Sequence, residues 1–128
     1  HGELHGSGTI DLPIKRKPGL STMRLVEEGG ERAVTHWEAI EAKDGYTLLS
    51  VRLETGRTHQ IRVHFSHIGY PLAGDTMYGQ SNDLLNRQAL HCANVSFLHP
   101  VGMKKVIVRS DLPEDMRLFI TAHGFRVF

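Results

Sequence analysis

Residues 32–53, Arg32-Ala33-Val34-Thr35-His36-Trp37-Glu38-Ala39-Ile40-Glu41-Ala42-Lys43-Asp44-Gly45-Tyr46-Thr47-Leu48-Leu49-Ser50-Val51-Arg52-Leu53, decide the fold class. Residues 32–41 are rich in Val, Thr, Trp and Ile and read as a strand. Ala42-Lys43-Asp44-Gly45 carries the Asp-Gly hairpin signal, and residues 46–53 read as the return strand. Leu49, Val51 and Leu53 fall on one face of it, and Tyr46, Ser50 and Arg52 on the other. One dry face and one wet face predict an antiparallel sheet.

Upstream, residues 9–14 form a short extended piece after Gly6-Ser7-Gly8, in an otherwise irregular first thirty residues. Lys15-Arg16-Lys17 is a basic run that, taken alone, reads as a solvated loop. Glu27-Glu28-Gly29-Gly30 is a turn. Downstream, Glu54-Thr55-Gly56-Arg57 turns the chain and Thr58 is the expected N-cap of a helix. Its apolar residues Ile61, Phe65 and Ile68 are spaced i, i+4, i+7, and Gly69 and Pro71 stop it. Residues 70–79 read as an ordered loop, and residues 80–87 as polar and exposed. Two strands follow, around Ala93, Val95 and Phe97 and over residues 104–109, joined by a turn at His99-Pro100-Val101-Gly102. Pro113-Glu114-Asp115 opens a last short helix that ends at Gly124.

The chain has 128 residues, enough for one domain with a core. Hydrophobic residues make up 40% and charged residues 23%, with a mean hydropathy of -0.26, which is globular composition. No apolar run is long enough to span a bilayer, so no membrane partner is expected. The start has no apolar signal region. Cys92, the one cysteine, excludes an internal disulfide and a Cys-rich zinc module and fits a reducing, cytoplasmic setting. It is expected to be small and buried in a strand. The net charge of +1 excludes a polycation, so nucleic-acid contact must come from a local patch. Opening on His1 with no initiator methionine, the chain is expected to be a fragment or processed product.

Residues 53–64, Leu53-Glu54-Thr55-Gly56-Arg57-Thr58-His59-Gln60-Ile61-Arg62-Val63-His64, carry the chemistry. Gly56 permits a tight turn, and the helix start that follows presents free N–H groups to anions. His59, Arg62 and Ser66 are spaced to share a face. A guanidinium emerging from a half-buried stripe needs a carboxylate or phosphate, because an unpaired buried charge is costly. Arg62 is therefore the expected fixed counter-charge of an anion. A lone arginine on an amphipathic helix usually lays its stem over apolar surface, and only the cluster as a whole favours function. His59, His64, His67, His91 and His99 do not make a metal site: His59 and His64 diverge on a helix, and neither a His-Glu-x-x-His pattern nor a cysteine pair occurs. Asp75, in Gly74-Asp75-Thr76-Met77-Tyr78-Gly79, is expected to bond nearby backbone amides and hold the turn.

Residues 53–64 resemble a signature of the RluA-type RNA pseudouridine synthases. The flanks agree and keep the family's order: residues 8–14, Ala33-Val34-Thr35-His36-Trp37, residues 69–75, Ala89-Leu90-His91 and Phe97-Leu98-His99-Pro100. The resemblance spans nearly the whole chain. It implies an α+β fold, an antiparallel-rich mixed β-sheet with short helices, forming part of the pseudouridine synthase catalytic fold. The implied reaction is isomerisation of uridine to pseudouridine in rRNA or tRNA, without metal or other cofactor. The N1–C1′ bond breaks, the uracil turns, and C5 rejoins C1′.

The family's catalytic aspartate lies upstream in an Arg-Leu-Asp motif, and the tyrosine that packs on the base in a second upstream motif. Neither is present: Asp11, Asp44, Asp75, Asp83, Asp111 and Asp115 all lack that context. Residues 1–128 are thus expected to be the C-terminal portion of the catalytic domain, with its N-terminal half as partner and no turnover alone. By the family's pattern Arg62 pairs with the absent aspartate and keeps it ionised. Ile61, Arg57, His59 and Gln60 form the substrate-binding side: Ile61 as an apolar wall near the base, Arg57 and His59 on phosphate or sugar, Gln60 supporting the turn. Lys15, Arg16 and Lys17 hold RNA backbone. The alternative is a non-catalytic RNA-binding module, in which the anion at Arg62 is a phosphate.

Overall fold

The computed structural model describes residues 1–19, 22–79, 87–98 and 105–125. The hairpin at its centre forms as its sequence predicts. Strands β4 (Val34–Lys43) and β5 (Tyr46–Leu53) pair antiparallel and close through Asp44 and Gly45, at φ 56° and 76°. Two positive φ values make a type I′ turn, whose twist matches that of the strands it joins. β4 starts and ends two residues later than the spacing predicts, at Val34 and Lys43. Between Ala39 and Glu41 the register shifts, and the bulged Ile40 is left exposed.

Strand β1 (Ser7–Asp11) adds to the other side of β4, giving a sheet of order β1-β4-β5. Gly8 faces Trp37, and a Cβ there would lie 2.8 Å from the indole, so the tryptophan closes over a residue with no side chain. β5 is one edge of this sheet among the described residues. The alternation predicts a dry face on it, but Leu49 and Val51 are only half-buried and Leu53 is exposed.

The extended piece at residues 9–14 proves to be two strands. After Asp11 the chain turns through Leu12 and Pro13 into β2 (Ile14–Arg16), which pairs with β3 (Arg24–Val26) in a separate antiparallel ribbon. The basic run is thus not a solvated loop. Lys15 and Arg16 are ladder residues with exposed side chains, and Lys17 continues the ladder through its N–H to Met23 O at 3.0 Å. Arg16 lies directly opposite Arg24.

Helix α1 (Gln60–His67) packs against β3 and β4. It starts later than expected. Its N-cap is His59, in the left-handed conformation at φ 55°, with no side-chain cap bond, and Thr58 is an exposed turn residue. The buried face also differs. Gln60, Val63, His64 and Phe65 are buried, whereas Ile61 and Ile68 are only half-buried. Val63 joins Ile14 and Ala33 in the core, with Val26 and Tyr78 packed against them. Gly69, at φ 92°, ends the helix as predicted.

Strands β6 (Asn94–Leu98) and β7 (Lys105–Arg109) form a third antiparallel pair. Helix α2 (Glu114–Ala122) buries Met116 and Ile120, and Tyr46 meets its Phe119 edge-on at 5.4 Å. Every strand pairing among the described residues is antiparallel, and the architecture is α+β. Cys92 is not buried in a strand as expected: it precedes β6 and is exposed. The predicted turn at 99–102 and the polar stretch at 80–86 lie outside the described residues. Arg87 pairs with Asp115 at 2.9 Å. No helix among the described residues is long and apolar enough to cross a membrane.

Candidate active site

Segment 53–64 is held in place by a chain of hydrogen bonds that is buried at Thr35, Gln60 and His64. The Thr55 hydroxyl accepts from Val34 N at 3.0 Å and donates to Gln60 Oε1 at 2.7 Å. Gln60 Oε1 also accepts from Arg57 N at 3.0 Å, and its Nε2 donates to Val34 O and to Thr35 Oγ1, both at 3.0 Å. Thr35 Oγ1 lies 2.8 Å from His64 Nδ1, and His64 Nε2 lies 2.8 Å from Leu12 O. A carbonyl only accepts, so Nε2 carries the proton and Nδ1 accepts from the threonine. Burial pushes the His64 imidazole below its ordinary range, opposed by the bond to Leu12, which fits this neutral form. Gln60 is buried and all its amide valences are used inside the chain. Its side chain ties the turn at Thr55 and Arg57 to the start of β4 and has no amide valence left over.

On its outer side the same helix carries Arg62. Nε donates to Asp75 Oδ2 at 2.8 Å and Nη2 to Asp75 Oδ1 at 2.9 Å. The Asp75 side chain is wholly buried and that of Arg62 only 13% exposed. Oδ1 also accepts from the backbone N–H groups of Met77 and Tyr78, at 3.1 and 3.2 Å. Asp75 holds its turn as predicted, and in addition supplies the counter-charge that Arg62 requires. Burial pushes the Asp75 carboxyl up, but the bonds from Arg62, Tyr78 and Met77 outweigh it and keep the group below its ordinary value. The bonds to Asp75 push the Arg62 guanidinium up in turn. Asp75 occupies one flank of the guanidinium. Among the described residues nothing bonds its other edge, Nη1 with the outer hydrogen of Nη2.

Tyr78, to which the sequence reading assigns no role, organises the site. The Arg62 Cζ sits 5.0 Å over its ring, within cation–π range. Its hydroxyl meets His59 Nδ1 at 2.7 Å and accepts from Arg24 N at 2.9 Å, and its carbonyl accepts from the Ser66 hydroxyl at 2.5 Å. His59, Arg62 and Ser66, expected to share a helix face, therefore converge on one tyrosine. Burial, then Arg62 and Arg24, hold the His59 imidazole below its ordinary value. Asp75-x-x-Tyr78 inside a Gly-bounded loop was the available signal.

The remaining predicted residues are spread around this centre. Ile61 is half-buried beside Arg62. Arg57 is exposed, with Nε bonded to Arg32 O at 2.8 Å and Nη1 3.2 Å from Glu31 Oε2. Lys15 lies 3.6 Å from Glu27, and Arg16 and Lys17 are exposed. No group of three His, Cys, Asp or Glu among the described residues could hold a metal ion. His64, one of the histidines weighed for metal, has both ring nitrogens engaged.

A family model described as RNA pseudouridylate synthase matches residues 2–67. The chain belongs to the RNA pseudouridylate synthase family. It is 45% identical over 121 residues to the uncharacterized RNA pseudouridine synthase YjbO of Bacillus subtilis, covering 94% of this chain and 43% of that protein. It is 42% identical over 122 residues to ribosomal large subunit pseudouridine synthase D of Zymomonas mobilis, covering 87% of this chain and 38% of that one. Among solved structures, human RNA pseudouridylate synthase domain containing 1 superposes with a TM-score of 0.75 at 28% identity. That match covers 88% of this chain and 51% of the human one. The chain spans less than half the length of these two bacterial pseudouridine synthases.

Proposed function

We propose that residues 1–128 are the C-terminal portion of a catalytic domain that isomerises uridine to pseudouridine in rRNA or tRNA, and that they are inactive without the upstream half. One observation carries this reading. Arg62 is fixed by Asp75 along one flank while no described residue bonds its other edge, so a second carboxylate or a phosphate completes the guanidinium. The family resemblance puts the catalytic aspartate there. Charge pairing with Arg62 would hold that aspartate ionised and aimed at the target nucleotide.

The other residues take supporting parts. Ile61 walls the base. His59 and Arg57 contact phosphate or sugar, Arg57 with the donors not spent on Glu31 and Arg32. Lys15, Arg16 and Lys17 line an exposed ribbon whose second strand reaches the site through Arg24 N, and they neutralise RNA phosphates. The target base leaves its stack at a cost of a few kcal/mol, least where it is already unpaired. The parent protein acts where its rRNA or tRNA substrate is, in the cytoplasm.

The test is a single-turnover assay on the full-length polypeptide, with rRNA or tRNA fragments tritiated at uridine C5. The wild type is expected to release tritium. Arg62→Met should lose on the order of 10²-fold or more in rate, the scale for removing a preorganised charged donor. The isolated chain 1–128 should give no product. RNA bound without conversion by the full-length protein would favour the non-catalytic binding module instead.

A further inference from the structure

We propose that Tyr78 is the positioning residue of this site, its ring fixing the Arg62 guanidinium and its hydroxyl fixing the His59 imidazole. The proposal rests on the function argued above and extends it to a residue that neither the sequence patterns nor the comparisons assign.

The argument is geometric. Asp75 binds Arg62 in the guanidinium plane, which sets direction but leaves the plane free to tilt about the Asp75 contact. The Tyr78 ring, 5.0 Å below Cζ, removes that freedom. Asp75 and Tyr78 are themselves locked together, because Oδ1 of the one accepts the backbone N–H of the other. The ring cannot swing away: its hydroxyl is tied to Arg24 N in β3, and its carbonyl to Ser66 in α1. One hydroxyl valence remains, and it goes to His59 Nδ1 at 2.7 Å. With Nδ1 committed, His59 offers only Nε2 outward. A residue in left-handed backbone, with no cap bond of its own, is thereby held by its side chain. Tyr78 thus sets the outward donors of both Arg62 and His59 while touching no substrate itself.

The experiment uses the full-length polypeptide with Tyr78→Phe and Tyr78→Leu, read by kinetics and by nitrogen-15 NMR. Tyr78→Leu removes the ring. It should lower kcat on the order of 10²-fold, the cost of an ångström-scale misplacement. The upfield ring-current shift of the Arg62 Nε–H should collapse with it. Tyr78→Phe keeps the ring and loses the hydroxyl. It should raise KM about five- to tenfold, the scale of one hydrogen bond, and lower kcat less than Tyr78→Leu does. The Arg62 shift should survive, while the His59 Nδ1 signal moves to that of an unbonded ring nitrogen. A purely structural tyrosine would instead reduce the active fraction in both variants at unchanged KM.

A folded Tyr78→Leu with kcat within twofold of wild type, or with the Arg62 signal unmoved, overturns the proposal. So does Tyr78→Phe with His59 Nδ1 unchanged, which decides the matter should Tyr78→Leu not fold. If the wild type converts no uridine, the function falls, and the Arg62 and His59 signals still decide the positioning.

Discussion

Asp75 grips Arg62 side-on, with Nε and Nη2 each within 2.9 Å of its own carboxylate oxygen. The pair joins a residue of helix α1 to a turn thirteen positions later, and most of it is out of water. Removing one member of such a pair leaves an uncompensated charge. Asp75→Asn should therefore destabilise the chain by about 3 kcal/mol, read as a lower urea midpoint. The double variant Arg62→Met/Asp75→Asn should cost clearly less than the sum of the two single changes. Strict additivity would mean that the two side chains are not coupled.

The same carboxylate gives an acid limb to stability. Its pKa is lowered on folding, so its contribution is complete above the ordinary aspartate value of about 4. It is lost as pH falls from there through the depressed folded value. A melting series from pH 5 to pH 2 should show a steeper fall for wild type than for Asp75→Asn.

His64 acts in a higher window. Its imidazole is fully buried and lowered on folding. Above the ordinary histidine value of about 6.5 both folded and unfolded states are neutral, and stability is complete. Below it the unfolded chain takes a proton that the folded chain refuses, so stability drops until the pH passes beneath the folded value. His59, lowered in the same direction, adds to the slope. Replacing His64 by Gln should flatten the stability profile between pH 7 and pH 5, and an unchanged profile would refute the neutral, buried assignment.

Thr35 tests the buried hydrogen-bond chain directly. Thr35→Val keeps the shape but strands His64 Nδ1 and one of the two Gln60 Nε2 hydrogens, the other staying on Val34 O, and should cost about 1–3 kcal/mol by urea unfolding. A loss under half of the lower figure would show that the two groups find other partners.

The backbone at His59 makes a fifth distinction. At φ 55° an asparagine is tolerated and a β-branched residue is not. His59→Asn gives up the bond to Tyr78 and should cost about 0.5–1.5 kcal/mol, whereas His59→Val should lose on the order of 1–2 kcal/mol beyond that. Equal stabilities would remove the left-handed turn from the account.

Local rules made the hairpin legible. Asp44-Gly45 names its own turn, and the alternation from Tyr46 to Leu53 needs no knowledge of the rest of the chain. The end of α1 at Gly69 and the start of α2 at Pro113 were readable for the same reason. The helix start at His59 was not, because a left-handed histidine is stabilised by Tyr78, nineteen positions away, and propensity has no access to that. Strand β3 is three residues long and pairs across the basic run, too short for periodicity to register. The need of Arg62 for an anion followed from charge burial alone. That the chain supplies one from Asp75 did not, since Asp75 looked complete as a turn-holding residue. Gln60 and His64 stand out in the sequence as polar residues within a chemical motif. Their buried valences are taken by Thr35, Thr55 and Leu12, partners that sequence order does not announce.

The type I′ hairpin also implies an order of assembly. β4 and β5 meet across two residues and should zip within about 1–10 μs. The links from Thr35 to His64 and from His64 to Leu12 close segments 29 and 52 residues apart, and loop-closure entropy opposes them first. The hairpin is then the expected early template, and docking of the imidazole between β4 and the Leu12 bend is expected to follow it.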